Sequence, residues 1–201
     1  LDATLPLISY GSGTSNDDAI ESQTYIYINV SVTEINFANI TYILRNDTAT
    51  INTTVYTTLT RTINWTNLPN TNYTYNVSIR DTANNFNTTE TRGIRLDTII
   101  PLAEYVSPTE ASGVVRARDY IEVNISASDE IGVQGVTIRL FNSTQSQIDI
   151  ITIVSPPYYR NFSSLSDGLY YYNASAIDTT QVNTNYTITR NITLDRTNPL
   201  I

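Results

Sequence analysis

The stretch Tyr25-Ile26-Tyr27-Ile28-Asn29-Val30-Ser31-Val32 sets Ile26, Ile28, Val30 and Val32 at every second position. Side chains of an extended chain point to opposite faces in turn. The pattern therefore predicts a strand with one apolar face inward and Asn29 outward. It returns in Tyr120-Ile121-Glu122-Val123-Asn124-Ile125, which sends Ile121, Val123 and Ile125 inward and Asn124 outward. Residues 25–34 and 120–129 share one pattern, so a single structural solution is used twice.

The same reading extends in both directions. In Asn72-Tyr73-Thr74-Tyr75-Asn76-Val77-Ser78-Ile79 the inward set is Tyr73, Tyr75, Val77 and Ile79, with Asn72 and Asn76 on the other face. No long stretch holds a 3.6-residue period, and Val, Ile, Thr and Tyr dominate. Strands are predicted at 5–10, 24–32, 38–45, 50–58, 60–66, 72–80 and 88–96. A second set is predicted at 100–106, 119–127, 134–141, 147–154, 158–163, 169–177 and 185–194. Seven short strands in about 96 residues point to a sandwich of two antiparallel sheets. The predicted fold class is all-β: two tandem immunoglobulin-like β-sandwich domains of about seven strands each. Trp65 and Phe162 occupy matching places as the large core aromatics, and one of the paired tyrosines is a candidate tyrosine corner.

A linker motif marks the period. Leu1-Asp2-Ala3-Thr4-Leu5-Pro6-Leu7 recurs as Leu96-Asp97-Thr98-Ile99-Ile100-Pro101-Leu102 and as Leu194-Asp195-Arg196-Thr197-Asn198-Pro199-Leu200. Repetition at this period describes an array of like modules. The expected domains are residues 1–95, residues 96–193, and a segment 194–201. That last segment would open a next module or form a joint strand between subunits. Its apolar residues Leu194, Leu200 and Ile201 are expected to pack against a following module.

Composition narrows the function. The formal net charge is −8, and the eleven basic residues are all Arg. Acidity without a basic cluster argues against nucleic acid. No apolar run reaches the ~20 residues of a membrane span. His and Cys are absent. That excludes a Ser-His-Asp triad, a thiol nucleophile and an ordinary zinc site. Absence of Lys excludes Lys–Asn isopeptide crosslinks. Paired acids such as Asp17/Asp18 and Asp129/Glu130 fall in loops, so the expectation is that the chain is not an enzyme.

The triplet Asn-x-Ser/Thr, with x other than Pro, occurs 14 times. The acceptors are Asn29, Asn39, Asn46, Asn52, Asn64, Asn72, Asn76, Asn87, Asn124, Asn142, Asn161, Asn173, Asn185 and Asn191. With 22 Asn and 49 Ser plus Thr in 201 residues, random order gives only ~5 such sequons. N-linked glycans need solvent-facing Asn and an exported chain. Both the excess and the outward register support glycosylation, with Asn29, Asn76, Asn124 and Asn173 the leading candidates, and an extracellular or cell-surface location. Five pairs match between modules: Asn29/Asn124, Asn46/Asn142, Asn64/Asn161, Asn76/Asn173 and Asn87/Asn185.

Two further site readings arise. Calcium is the one candidate cofactor, because it takes six to eight oxygens from carboxylates, carbonyls and water. The candidate ligands are Asp97 and Asp195 at the module junctions and Asp129 and Glu130. Glu34, Asp81 and Asp178 lie in turns that could face a junction. The plainer reading is that a junction Asp caps a turn before Pro. Pro156-Pro157-Tyr158-Tyr159 is either an exposed aromatic patch for a neighbour or a sugar, or a strand start after a Pro turn.

The segment Tyr73-Thr74-Tyr75-Asn76-Val77-Ser78-Ile79-Arg80-Asp81-Thr82-Ala83-Asn84-Asn85-Phe86-Asn87, continued to Leu96-Asp97-Thr98 and Pro101, resembles the closing strands and linker of bacterial and archaeal Ig-like surface repeats. That family has an aromatic-x-aromatic strand, Asp-x-Ala-Gly-Asn, a Thr-rich strand, then Leu/Val-Asp-Thr-x-x-Pro. Asn84 stands where the family usually has Gly, and Thr179, Thr180 and Gln181 depart further. Leu68-Pro69-Asn70-Thr71-Asn72-Tyr73 is similar to the fibronectin type III approach to its penultimate strand. The resemblance implies non-catalytic extracellular modules of adhesins, stalks and surface layers. A high sequon load without Cys is closer to archaeal than to animal surface proteins. The leading expectation is thus a glycosylated filament, stalk or surface layer, whose partners are copies of itself or neighbouring modules end to end. The alternatives are an adhesin or carbohydrate-binding module, and a filament subunit assembling by strand donation through residues 5–10 or 194–201.

Overall fold

The computed structural model describes residues 2–197, and among these there is no helix. The chain divides into two compact units, Leu1–Thr98 and Ile99–Ile201. Unit one contains β1 (Leu7–Tyr10), β2 (Ala19–Glu21), β3 (Ile26–Thr33), β4 (Phe37–Asn46), β5 (Thr50–Tyr56), β6 (Thr62–Trp65), β7 (Thr71–Asp81), β8 (Phe86–Thr88) and β9 (Arg92–Leu96). Unit two repeats them as β10 (Leu102–Tyr105), β11 (Val114–Arg116), β12 (Ile121–Ser128), β13 (Val133–Phe141), β14 (Gln147–Ile153), β15 (Tyr158–Phe162), β16 (Gly168–Asp178), β17 (Thr184–Tyr186) and β18 (Arg190–Leu194).

Each unit packs a three-stranded sheet against a larger one. In unit one the orders are β1-β3-β6 and β2-β9-β7-β4-β5, with β8 on β7. In unit two they are β10-β12-β15 and β11-β18-β16-β13-β14, with β17 on β16. The alternation seen in the sequence builds the cores. Ile26, Ile28, Val30 and Val32 face Tyr42, Leu44, Tyr75, Val77 and Ile79 inside unit one. Ile121, Val123 and Ile125 face Ile138, Leu140, Tyr172 and Ala174 inside unit two. Trp65 and Phe162 are buried at matching ends of β6 and β15, where they pair with Ile26 and Ile121.

Among the described residues each unit carries nine strands rather than seven, for two physical reasons. The three-residue strands β2 and β11 have too few positions to show alternation, and their partners β9 and β18 lie about 75 residues downstream. The last expected strand is broken in two because a side chain replaces a carbonyl in the ladder. Thr89 Oγ1 accepts the N–H of Val77 at 3.0 Å, and Thr187 Oγ1 accepts that of Ala174 at 2.9 Å. The tyrosine corner is present in both units: Tyr73 OH donates to Pro69 O at 3.0 Å and Tyr170 OH to Ser166 O at 2.9 Å. Asn84 has φ 71° and Gln181 φ 65°. The turn demands a left-handed residue, which explains the usual Gly there and why Asn is a serviceable replacement.

Leu194 does not wait for a following module. It alternates with Ile192 along β18, pairs with Gly168, and is buried in unit two's own core, as Leu96 is in unit one's. The strands considered for donation are likewise paired at home: β1 with β3, and β18 with β16 and β11. Residues 198–201, the end of the 194–201 segment and the place of Leu200 and Ile201, lie outside the described residues.

Candidate functional site

What repeats between the units is a polar seam that closes each sandwich along one side, beginning with the short second strand. In unit one β2 runs parallel to β9, in register Ala19↔Ile94, Ile20↔Arg95 and Glu21↔Leu96. Backbone bonds bracket the pair: Asp18 N–H donates to Gly93 O at 2.9 Å and Asp97 N–H to Glu21 O at 3.0 Å. Unit two repeats this with β11 and β18, bracketed by Gly113 N–H to Asn191 O at 2.9 Å and Asp195 N–H to Arg116 O at 3.0 Å.

A tyrosine fastens the first strand beside that pair. The Tyr10 hydroxyl lies 2.9 Å from Glu90 O and 3.0 Å from Thr89 Oγ1. Its ring meets Tyr75 edge-on at 5.7 Å, and the Arg92 guanidinium sits 4.3 Å from the ring centre. In unit two the Tyr105 hydroxyl lies 2.9 Å from Ile188 O and from Thr187 Oγ1. Tyr172 packs edge-on at 5.7 Å and Arg190 stands at 4.1 Å. Burial pushes both phenols up to about 12. These clasps were not read from the sequence. The signal was present, since Tyr10 and Tyr105 each stand four residues after the linker prolines Pro6 and Pro101.

None of the 14 sequon asparagines is buried, but their amides are used in different ways. Asn29 and Asn124 donate Nδ2–H to Ser12 O and Ser107 O, at 3.0 and 2.8 Å. Asn87 and Asn185 donate to Pro6 O and Pro101 O, at 2.7 and 2.9 Å. Asn46 and Asn142 turn Oδ1 inward to accept the N–H of Thr48 and Thr144, closing the β4–β5 and β13–β14 turns. Asn173 donates to Thr189 and Asn72 to Asp47. Asn52, Asn76 and Asn191 accept from Thr54, Arg45 and Ser112. Asn39 is half-buried on β4. Asn64 and Asn161 are exposed on β6 and β15, and among the described residues their side chains make no hydrogen bond.

The carboxylates named in the sequence are scattered. Asp97 is buried and Asp195 exposed, with Oδ1 accepting from Thr197 N–H. Asp129 Oδ2 accepts from Ile131 N–H, and Glu130 is exposed. Among the described residues the acids that converge are Asp2, Glu34 and Asp81, with one oxygen of each within 4.8 Å of the others. The Asp2 carboxyl is held below its ordinary value, first by the backbone N–H of Thr4 and then by the Asn36 amide. Asp81 accepts both the backbone and the side-chain N–H of Asn85. Glu34 and Asp81 were named from the sequence and Asp2 was not, although it holds the motif position of Asp97 and Asp195. The three oxygens are chemically suited to calcium but fall short of six ligands by themselves.

The Pro-Pro-Tyr-Tyr segment is not an aromatic platform. Tyr158 is buried in unit two's core, and only Tyr159 faces outward, its hydroxyl donating to Glu122 Oε1 at 2.7 Å. The register of β15 places Tyr158 on the same face as Phe162.

No family model matches this chain, and no curated protein matches it in sequence. Among solved structures it is similar to a marsupial T cell receptor, with TM-score 0.57 and 7% identity over 94% of this chain and 73% of that one. It is also similar to fibronectin(III)-like modules of CbhA from Clostridium thermocellum, with TM-score 0.49 and 12% identity over 94% and 93%. A third likeness is to a tetra-tandem repeat in the extending region of a large adhesion protein, with TM-score 0.43 and 18% identity over 98% and 51%. At 7% identity the likeness to the T cell receptor shows the fold alone: sandwiches of the immunoglobulin kind.

Proposed function

We propose that this chain is a load-bearing segment of an extracellular array on an archaeal cell: a glycosylated stalk, filament or surface layer built from end-to-end modules, and not an enzyme. The observation that carries the reading is the parallel pairing of β2 with β9 and of β11 with β18. Tension enters a module before its second strand and leaves after its last. In a parallel pair those pulls run in opposite directions along the strands, so the bracketing hydrogen bonds are loaded together in shear rather than opened one by one. The tyrosine clasps fix the first strand next to this pair. The sequon excess supports export. Two results would be expected from the source organism. Electron microscopy of native material should show long thin assemblies, and peptides of this chain that carry sequons should be heavier than their bare sequence. Discrete particles whose sequon peptides all have bare mass would contradict the reading.

Calcium at the Asp2–Glu34–Asp81 cluster is a second reading, favoured by the convergence of three carboxylates. Calcium should then raise the thermal midpoint, and Glu34→Gln should remove the effect while leaving the midpoint in chelator unchanged. An identical midpoint with calcium and with chelator would dismiss it.

A further inference from the structure

The fourteen sequons are chemically equal in sequence, and the fold makes them unequal. We infer that Asn64 and Asn161 are the principal glycan acceptors. Asn29, Asn124, Asn87 and Asn185 are structural clamps that stay unmodified. This rests on the glycoprotein reading above.

N-glycosylation forms a bond between Asn Nδ2 and the anomeric carbon of a phosphate-activated sugar donor. The bond from that carbon to the carrier phosphate breaks, the phosphate leaves with its electron pair, and Nδ2 gives up one proton. The acceptor amide must therefore turn its nitrogen to solvent, with room for a ring. Asn64 and Asn161 meet this need. They occupy equivalent positions on β6 and β15, the outer strands of the three-stranded sheets, one residue before and one residue before the buried Trp65 and Phe162 respectively. Alternation turns both amides away from the core, and both are exposed and unbonded among the described residues. A glycan there would also shield a sheet edge from pairing with another chain.

The clamps fail the same test in both units. Asn87 uses both ends of its amide: Nδ2 donates to Pro6 O, while Oδ1 accepts from Thr88 N–H at 2.8 Å. Asn185 does the same with Pro101 O and Tyr186 N–H. These bonds tie the chain entering β1 and β10 to β8 and β17. Asn29 is engaged with Ser12 O, and its nitrogen is so close to Gly11 that a Cβ there would stand 3.0 Å away. On this inference Asn29 and Asn124, two of the four positions that the outward register favoured together with Asn76 and Asn173, stay unmodified.

The test is site-resolved peptide mapping of the chain secreted by its source, with enzymatic deglycosylation in heavy-oxygen water to mark occupied Asn. Asn64 and Asn161 should be marked in most copies, and Asn29, Asn87, Asn124 and Asn185 should not. The Asn64→Gln/Asn161→Gln chain should lose two glycans in mass; occupancy of the clamps, or no mass loss in this variant, would overturn the assignment. A chain bare at all fourteen positions would defeat the glycoprotein reading itself. A second measurement needs no glycan. In chain made without a transferase, Asn87→Ala and Asn185→Ala should lower the thermal midpoint, and Asn64→Ala and Asn161→Ala should leave it in place. An unchanged midpoint in the clamp variants would also overturn the division.

Discussion

Trp65 and Phe162 show how far a residue can be read from its neighbours. Both were legible as large aromatics at one place in the repeat, and both are buried. The indole Nε1 of Trp65 is buried with no hydrogen-bond partner among the described residues, which the sequence could not show. Trp65→Ala should therefore cost about 3–5 kcal/mol of unit one's stability in urea unfolding. Trp65→Phe should cost under about 1.5 kcal/mol, because it removes an unpaired donor and restores the residue unit two uses. A loss as large as that of the Ala variant would show that the indole is held by something beyond packing. Tyr158 was left between a contact patch and a strand start, although counting back by twos from Phe162 places it inward, where it lies. The buried phenols add a pH dependence. Tyr10 and Tyr105 titrate near 12 in the folded chain against about 10 when exposed. The neutral form is favoured by folding, so their contribution is complete below pH ~10 and is lost as pH rises through ~12. Tyr10→Phe and Tyr105→Phe should reduce the alkaline loss of stability, followed by thermal midpoint from pH 8 to 12, and leave the part that Tyr42, Tyr73, Tyr75 and Tyr172, also pushed up by burial, contribute.

At the scale of elements, what the sequence made plain were strands long enough to alternate. Strands β3, β7, β12 and β16 each hold eight or more residues and were placed to within about two positions. The short strands β2 and β11 were invisible because their existence depends on distant partners. The break between β8 and β9 was invisible because it depends on one hydroxyl in the ladder. That hydroxyl can be tested: Thr89→Val and Thr187→Val keep the shape but leave the N–H of Val77 or Ala174 without its acceptor. Each should cost about 1–3 kcal/mol in its own unit, the loss expected of a buried donor left unpaired. A neutral effect would mean that the broken strand needs no such bridge. The candidate site followed the same logic. Sequon asparagines could be found by pattern, while the direction of each amide is a tertiary fact.

For the whole molecule, two copies of one sandwich share one architecture. Each has its second strand parallel to its last, a tyrosine clasp beside that pair, and an Asn clamp on its entering strand. The most direct test is to stretch the chain between its ends by atomic force microscopy. With about 95 residues per module and up to ~3.6 Å per extended residue, each unfolding event should release roughly 30 nm of chain. The account predicts two separate force peaks of nearly equal contour increment, lowered in force by Tyr10→Phe and Tyr105→Phe. Extension without resolved peaks, or a single event releasing both units together, would contradict a role as independent load-bearing modules.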